Sequence, residues 1–201
     1  MANQAPPPTI VNVGYRSTNF WIISAGRSRL MVDLGWPGSM RQMEANLRRR
    51  GIPLEEIRYG LATHFHIDHA GLAQDFKLAG VTLLVINFQL PHLPLMKQWT
   101  KPHDHYTEIT LDGNRIISCD QSRDLLAGLG IAGEIVHTPG HSDHCVSLLL
   151  DDGSVFTGDL PPPELAGMGD PDQVAASWQL LRDKGATRIH PGHGPIRSMP
   201  G

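Results

Sequence analysis

The chain has 201 residues, 40% of them hydrophobic, with 17 basic residues against 20 acidic ones and a formal net charge of −3. That length and apolar content suit one well-buried core, so residues 1–201 are read as a single domain. The charge balance excludes a broad cationic surface for a phosphate backbone, and no run of about 18 apolar residues is present to span a bilayer, so neither nucleic acid nor membrane is an expected partner.

The first residues, which include Pro6, Pro7 and Pro8, lack the basic start and apolar core of a secretory signal. Only two cysteines occur, Cys119 and Cys145, too few for a disulfide framework, and a cytoplasmic location is the expectation. Residues 10–13, 19–24 and 29–34 are short apolar stretches broken by Gly, Ser and Arg, and they read as a strand meander. Ser39 is placed to cap a helix in which Met40, Met43 and Leu47 recur on one face before Gly51 stops it. Arg48, Arg49 and Arg50 read as the solvated end of that helix. Residues 57–62 read as a buried strand running into Thr63, followed by a helix over 70–78, a break at Gly80 and a strand over 81–86.

Residues 87–112 carry Pro91, Pro94 and Pro102 among Phe88, Trp99, Tyr106 and three histidines, His92, His103 and His105. No single regular element accommodates them, and the segment is expected to be an irregular, pocket-shaping excursion. Residues 134–138 and 145–150 read as strands, with Asp151-Asp152-Gly153 turning the chain into a further strand over 154–157. Pro171 opens a last helix with Val174, Trp178 and Leu181 at helical spacing, before Arg188-Ile189 and a final His190-Pro191-Gly192-His193-Gly194. The pattern alone leaves α/β and α+β both open.

The chemistry is concentrated in the histidines, of which there are eleven. In Thr63-His64-Phe65-His66-Ile67-Asp68-His69, four ligand-type side chains follow directly on a predicted strand. An extended chain projects His64 and His66 to one side, and a turn brings Asp68 and His69 to a second point nearby. Metal–ligand bonds of about 2.0–2.2 Å demand close convergence, so further ligands must come from distant segments. Three candidates stand at predicted strand ends beside glycine: His141 in His137-Thr138-Pro139-Gly140-His141, Asp159 in Phe156-Thr157-Gly158-Asp159, and His193. Cys145, in an apolar run, reads as a small buried hydrophobe rather than a reactive thiol; His137 and His144, which flank His141, read as structural ahead of a part in orienting a ligand or touching substrate, and His190 is left open between the two.

This series, His64-x-His66-x-Asp68-His69, then Gly140-His141, Gly158-Asp159 and Gly192-His193, resembles the metallo-β-lactamase superfamily over nearly the whole chain and in the same order. The resemblance implies an α+β fold, a four-layer αββα sandwich with two mixed β-sheets flanked by helices. It assigns His64, His66 and His141 to a first metal, Asp68, His69 and His193 to a second, and Asp159 as the bridge. Asp33, in Met31-Val32-Asp33-Leu34-Gly35, resembles the family's early Asp-x-Gly turn that supports the metal loop. The implied cofactors are two divalent metal ions, zinc first, with manganese or iron as alternatives. Two ions about 3.5–4 Å apart hold a hydroxide between them and aim it at a carbonyl, with Asp68 as the catalytic proton carrier.

The function this implies is a dinuclear metal-dependent hydrolase of a carbonyl-centred small-molecule substrate: an ester, lactone, thioester or amide. Nuclease relatives usually carry a large insert, and those cleaving the glutathione thioester a further C-terminal region, whereas here eight residues follow His193. Lactonases often present a tyrosine over the site, a part only Tyr106 could play. A mononuclear iron sulfur dioxygenase-like oxidoreductase is the rival from another class, and a non-catalytic metal-binding domain the third reading. Flavin-linked di-iron relatives typically have Glu at the place of His66.

Overall fold

A computed structural model describes residues 8–168 and 170–199; Pro6 and Pro7 of the proline-rich lead lie outside the described residues. In chain order the elements are β1 (Thr9–Asn12), β2 (Trp21–Ala25), β3 (Ser28–Val32), α1 (Met40–Arg49), β4 (Ile57–Leu61), α2 (Ile67–Ala70), α3 (Ala73–Leu78), β5 (Thr82–Ile86) and β6 (Arg115–Ile117). There follow α4 (Ser122–Ala127), β7 (Gly133–His137), β8 (Val146–Leu150), β9 (Ser154–Gly158), α5 (Pro171–Asp183), β10 (Arg188–Pro191) and β11 (Arg197–Ser198).

Strands β1 to β6 form one sheet in sequence order, and the second sheet runs β11-β10-β9-β8-β7. Both are mixed. β1, β2 and β3 pair antiparallel while β3 to β6 run parallel, and in the second sheet only β9 and β10 are parallel. Period-two alternation divides each buried strand between two cores. Trp21, Ile23, Leu30 and Val32 face Ile135, Leu148 and Phe156 between the sheets. Ile22 and Met31 point outward, against Met43 and Leu47 of α1 and Phe76 of α3. On the other side Leu149, Val155 and Ile189 pack on Val174, Trp178 and Leu181 of α5. The result is the expected αββα sandwich, in which both sheet faces are covered and the strands need no polar side.

Local chemistry departs from expectation in two places, at Ser39 and in the helix over 70–78, while α5 starts at Pro171 as expected. Ser39 precedes α1 but does not cap it; its hydroxyl donates to the Trp36 carbonyl and lies 2.5 Å from the Tyr15 hydroxyl. The helix expected over 70–78 is two, because Gly71 lies where the 34–37 loop crosses. A Cβ there would collide with Pro37 Cδ and with the Ile67 carbonyl oxygen. The cap of α5 is Asp170, whose carboxylate accepts from the Asp172 and Gln173 amides ahead of the helix-starting Pro171. Residues 87–112 hold three short 3-10 segments, Asn87–His92, Pro94–Trp99 and Pro102–Asp104.

Candidate metal centre

Asp33 follows β3, residues 62–66 follow β4, Asp159 follows β9, and Gly192 and His193 follow β10. Parallel β3 and β4 end at the same edge, as do parallel β9 and β10, and His141 reaches that edge from the loop between β7 and β8. Carboxyl ends of parallel strands are where open sheets place ligands. The geometry groups the seven residues singled out from the sequence. His64, His66 and His141 bring one ligand atom each to a common point, as do Asp68, His69 and His193, and His64, His69 and Asp159 overlap both sets.

His66 Nδ1 lies 3.0 Å from His141 Nε2. His69 Nε2 is 3.4 Å from Asp68 Oδ2 and 3.2 Å from Asp159 Oδ1, and His193 Nε2 is 3.2 and 3.4 Å from the same two oxygens. Asp159 stands between the groups, since its other oxygen, Oδ2, is 3.9 Å from His141 Nε2. Two atoms each about 2.1 Å from one tetrahedral ion stand about 3.4 Å apart, so these separations suit ligands of a single ion. His64 Nε2, His69 Nε2 and Asp159 Oδ1 are buried without a hydrogen-bond partner, a cost that a bound cation removes. The donor set therefore fits divalent metal. Gly192 keeps the space open: a Cβ there would lie 2.5 Å from Asp159 Oδ1 and 2.6 Å from His69 Cε1.

The far sides of His64, His69 and His193 are held by partners that fix their tautomers. Asp33, buried and at φ 62°, accepts from His69 Nδ1 at 2.8 Å on one oxygen. Its other oxygen accepts from the Thr63 amide at 2.8 Å and hydroxyl at 2.9 Å, and Thr63 Oγ1 lies 3.1 Å from His64 Nδ1. His193 Nδ1 donates to the Ser17 carbonyl at 2.7 Å. With Nδ1 donating to carboxylate or carbonyl, the Nε2 lone pairs of His69 and His193 face the site. Asp68 Oδ2 accepts from Thr18 Oγ1 at 3.0 Å, and Thr18 Oγ1 accepts from the Trp36 indole at 3.1 Å.

Electrostatics divides the histidines in two. Burial holds His64 well below the usual imidazole range and lowers His66 and His141, so these three stand neutral with free lone pairs. Burial would also lower His69, but the Asp33 charge, the facing Asp159 carboxylate, the Asp33 hydrogen bond and Asp68 carry it well above its ordinary value. The facing carboxylates of Asp159 and Asp68 push His193 up to about 10. Burial opposes ionisation of Asp68 and Asp159, yet the facing His193 and His69 rings hold both below the usual carboxylate range. A cation binding here competes with protons on His69 and His193.

The remaining singled-out groups take other parts. His144 Nε2 accepts from the Phe65 amide at 3.1 Å, between two ligand histidines, while its ring stacks on His92 at 3.9 Å. Gln89 donates to the carbonyls of Thr63 at 3.3 Å and His144 at 3.1 Å, so the 87–92 turn braces the ligand loop from below. His137 ties the His141 loop through the Asp143 carbonyl at 2.7 Å. His190 sits between Trp21 and Phe156 with both ring nitrogens buried and unpartnered. His103 and His105 are exposed, and Tyr106 packs on the outer core of the first sheet. Burial raises the Cys145 thiol to about 11, in keeping with an unreactive core cysteine. Leu160, Pro161 and Pro162 line a cavity of about 370 Å³ together with His141, Asp159 and His193. Sequence reasoning missed Ser17, Thr18, Trp36 and Gln89, which are neutral and carry no motif.

The profile of the metallo-β-lactamase superfamily matches residues 13–193, and the chain belongs to that superfamily. It is 30% identical over 189 residues to a lactamase-like protein of Pestalotiopsis microspora, covering 90% of this chain and 50% of that one. It is 28% identical over 188 residues to the atrochrysone carboxyl ACP thioesterase of Aspergillus fumigatus, covering 90% and 52% respectively. The chain thus spans about half the length of these curated relatives. Its fold superposes on a metallo-β-lactamase family protein of Thermus thermophilus with a TM-score of 0.72 at 18% identity, covering 96% of this chain and 75% of that one. No helix among the described residues is long and apolar enough to cross a membrane.

Proposed function

We propose that this chain acts as one domain and as a dinuclear metal-dependent hydrolase of small molecules with a scissile carbonyl: esters, lactones, thioesters or amides. His64, His66 and His141 hold one ion, Asp68, His69 and His193 the other, and Asp159 reaches both. The observation that carries this reading is Asp159 itself, with Oδ1 3.2 Å from His69 Nε2 and Oδ2 3.9 Å from His141 Nε2. A complete second group favours hydrolysis over the mononuclear oxidative reading. Two free cysteines, one of them buried, fit a reducing cytoplasm.

When bound, divalent ions, zinc or alternatively manganese or iron, polarise a carbonyl oxygen and lower the pKa of water. The chain's own residues do the rest. Asp33, Ser17 and Thr63 keep the ligand lone pairs aimed, so little reorganisation accompanies reaction. Asp68 is fixed through Oδ2 by Thr18, which leaves Oδ1 to take the proton of attacking water and return it to the leaving atom. Leu160, Pro161 and Pro162 form a dry wall along which the acyl group lies.

The test is elemental analysis of the purified chain together with ester, lactone, thioester and β-lactam substrates, each assayed with and without chelator. The thioester arm comes first, since a relative is named as a thioesterase. Two zinc or manganese ions per chain with chelator-sensitive turnover is the expected result. A single iron and no hydrolysis overturns the reading in favour of oxidation.

A further inference from the structure

The cavity beside Asp159 contains one cation that the ligand set does not use. β11 pairs Arg197 with Ile189 of β10, and residues paired across neighbouring strands share a face. Ile189 packs toward α5, so Arg197 is turned to the helix side of the sheet and away from the seam between sheets. There it lines the same cavity as Asp159, His193, Leu160, Pro161 and Leu165. Its Nε is buried and has no hydrogen-bond partner. Among the described residues Arg29 and Arg123 are ion-paired with carboxylates, and no such pair forms at Arg197. A guanidinium lining a cavity with no carboxylate beside it is a donor fork for an anion that enters there, and a two-oxygen anion matches its geometry.

We propose that Arg197 is an anion subsite of the metal cavity, and that the substrate is an acyl compound bearing a carboxylate or phosphate remote from its scissile carbonyl. This rests on the hydrolase reading above. The apolar body of such a substrate lies on Leu160, Pro161 and Leu165, with its anionic end on the guanidinium and its carbonyl toward Asp159 and His193. In the reaction the oxygen of water bonds to the carbonyl carbon, the bond to the leaving atom breaks, and a proton passes to that atom. The anion is unchanged throughout, so Arg197 is a positioning residue whose contribution is orientation and affinity.

Two p-nitrophenyl esters matched in length test this in the zinc-loaded chain: the neutral hexanoate and the adipate half-ester with a terminal carboxylate. A third ester carrying a terminal phosphate distinguishes the two anions. Wild type favours an anionic ester, and Arg197→Gln lowers the ratio of kcat/KM for anionic over neutral ester by about ten- to a hundredfold, mostly through KM. Arg197→Lys recovers part of the ratio, and it carries the test if the glutamine variant loses metal or fold. A ratio within about twofold of wild type in both variants overturns the proposal. A calorimetric titration with adipate dianion needs no turnover. If no ester is cleaved the hydrolase reading fails, while tenfold weaker adipate binding to Arg197→Gln still supports the subsite and equal binding refutes it.

Discussion

Replacing Asp33 by asparagine changes one atom type in a buried network, with consequences that can be followed bond by bond. The carboxylate is 1% exposed and accepts three donors, His69 Nδ1 on one oxygen and the amide and hydroxyl of Thr63 on the other. Asparagine has a single acceptor oxygen. If that oxygen stays with Thr63, the new amide N–H faces His69 Nδ1, which must give up its proton there. The proton moves to Nε2, the atom 3.2 Å from Asp159 Oδ1 that the proposed second ion would need. Substituting a partner of this kind weakens metal binding by about 10–100-fold, or about 1.4–2.7 kcal/mol at roughly 1.36 kcal/mol per decade. The loss falls mainly on the group of Asp68, His69 and His193, because His64 is reached only through Thr63. Zinc titration of metal-free protein against a competing chromophoric chelator resolves the two affinities, with circular dichroism as the check on folding. Two affinities each within about twofold of wild type in a folded variant would refute the assignment of Asp33 as the orienting carboxylate.

Thr18→Val keeps the side-chain shape but deletes the donor to Asp68 Oδ2 and the acceptor for Trp36; a loss of about tenfold in kcat/KM is expected, with ion content by elemental analysis unchanged. Gly192→Ala puts a methyl against Asp159 and His69, and substoichiometric zinc in a protein of near wild-type thermal stability is the expected outcome. His190 supplies a pH prediction. Burial and the Arg188 charge lower its pKa to about 4 against 6.5 for the free side chain. The unfolded chain therefore takes up a proton that the folded chain refuses, so stability is full above 6.5 and falls as pH drops toward 4. His190→Phe should shallow that acid limb in urea unfolding curves measured between those pH values. An unchanged limb would show that His190 is not the group titrating.

Much of the site is legible in the sequence because its side chains have few other uses. Four ligand-type residues within 64–69 after an apolar strand have little structural purpose, and Gly-His and Gly-Asp pairs at strand ends mark turns where a side chain leaves a sheet edge. The groups that orient them are not legible. Thr18 reaches Asp68 across 50 positions and Ser17 reaches His193 across 176, through a threonine hydroxyl and a main-chain carbonyl that any loop could contain. Elements are lost for similar reasons. β6, β11 and α4 have three, two and six residues, too few for either periodicity to register. Ser39 looked like a helix cap because the residue type fits, and the competing acceptor, the Trp36 carbonyl, is visible only once the 34–39 turn has formed.

The turn between β1 and β2 grips the chain at its opposite end. Asn19 donates to the carbonyls of Pro191, Gly192 and Gly194, and Thr18 forms a β-bridge to His193. One of the two proposed ion-holding groups is therefore assembled from segments far apart in the order of synthesis. A nascent chain with β1 to β9 already made holds all of the first trio, His141 included, and cannot close the second until residue 193 is synthesised and docked on the waiting turn. Ion capture at that point would tie together segments 176 positions apart, so the metal would act as a clasp on the sandwich, and its removal would first release β10 and β11.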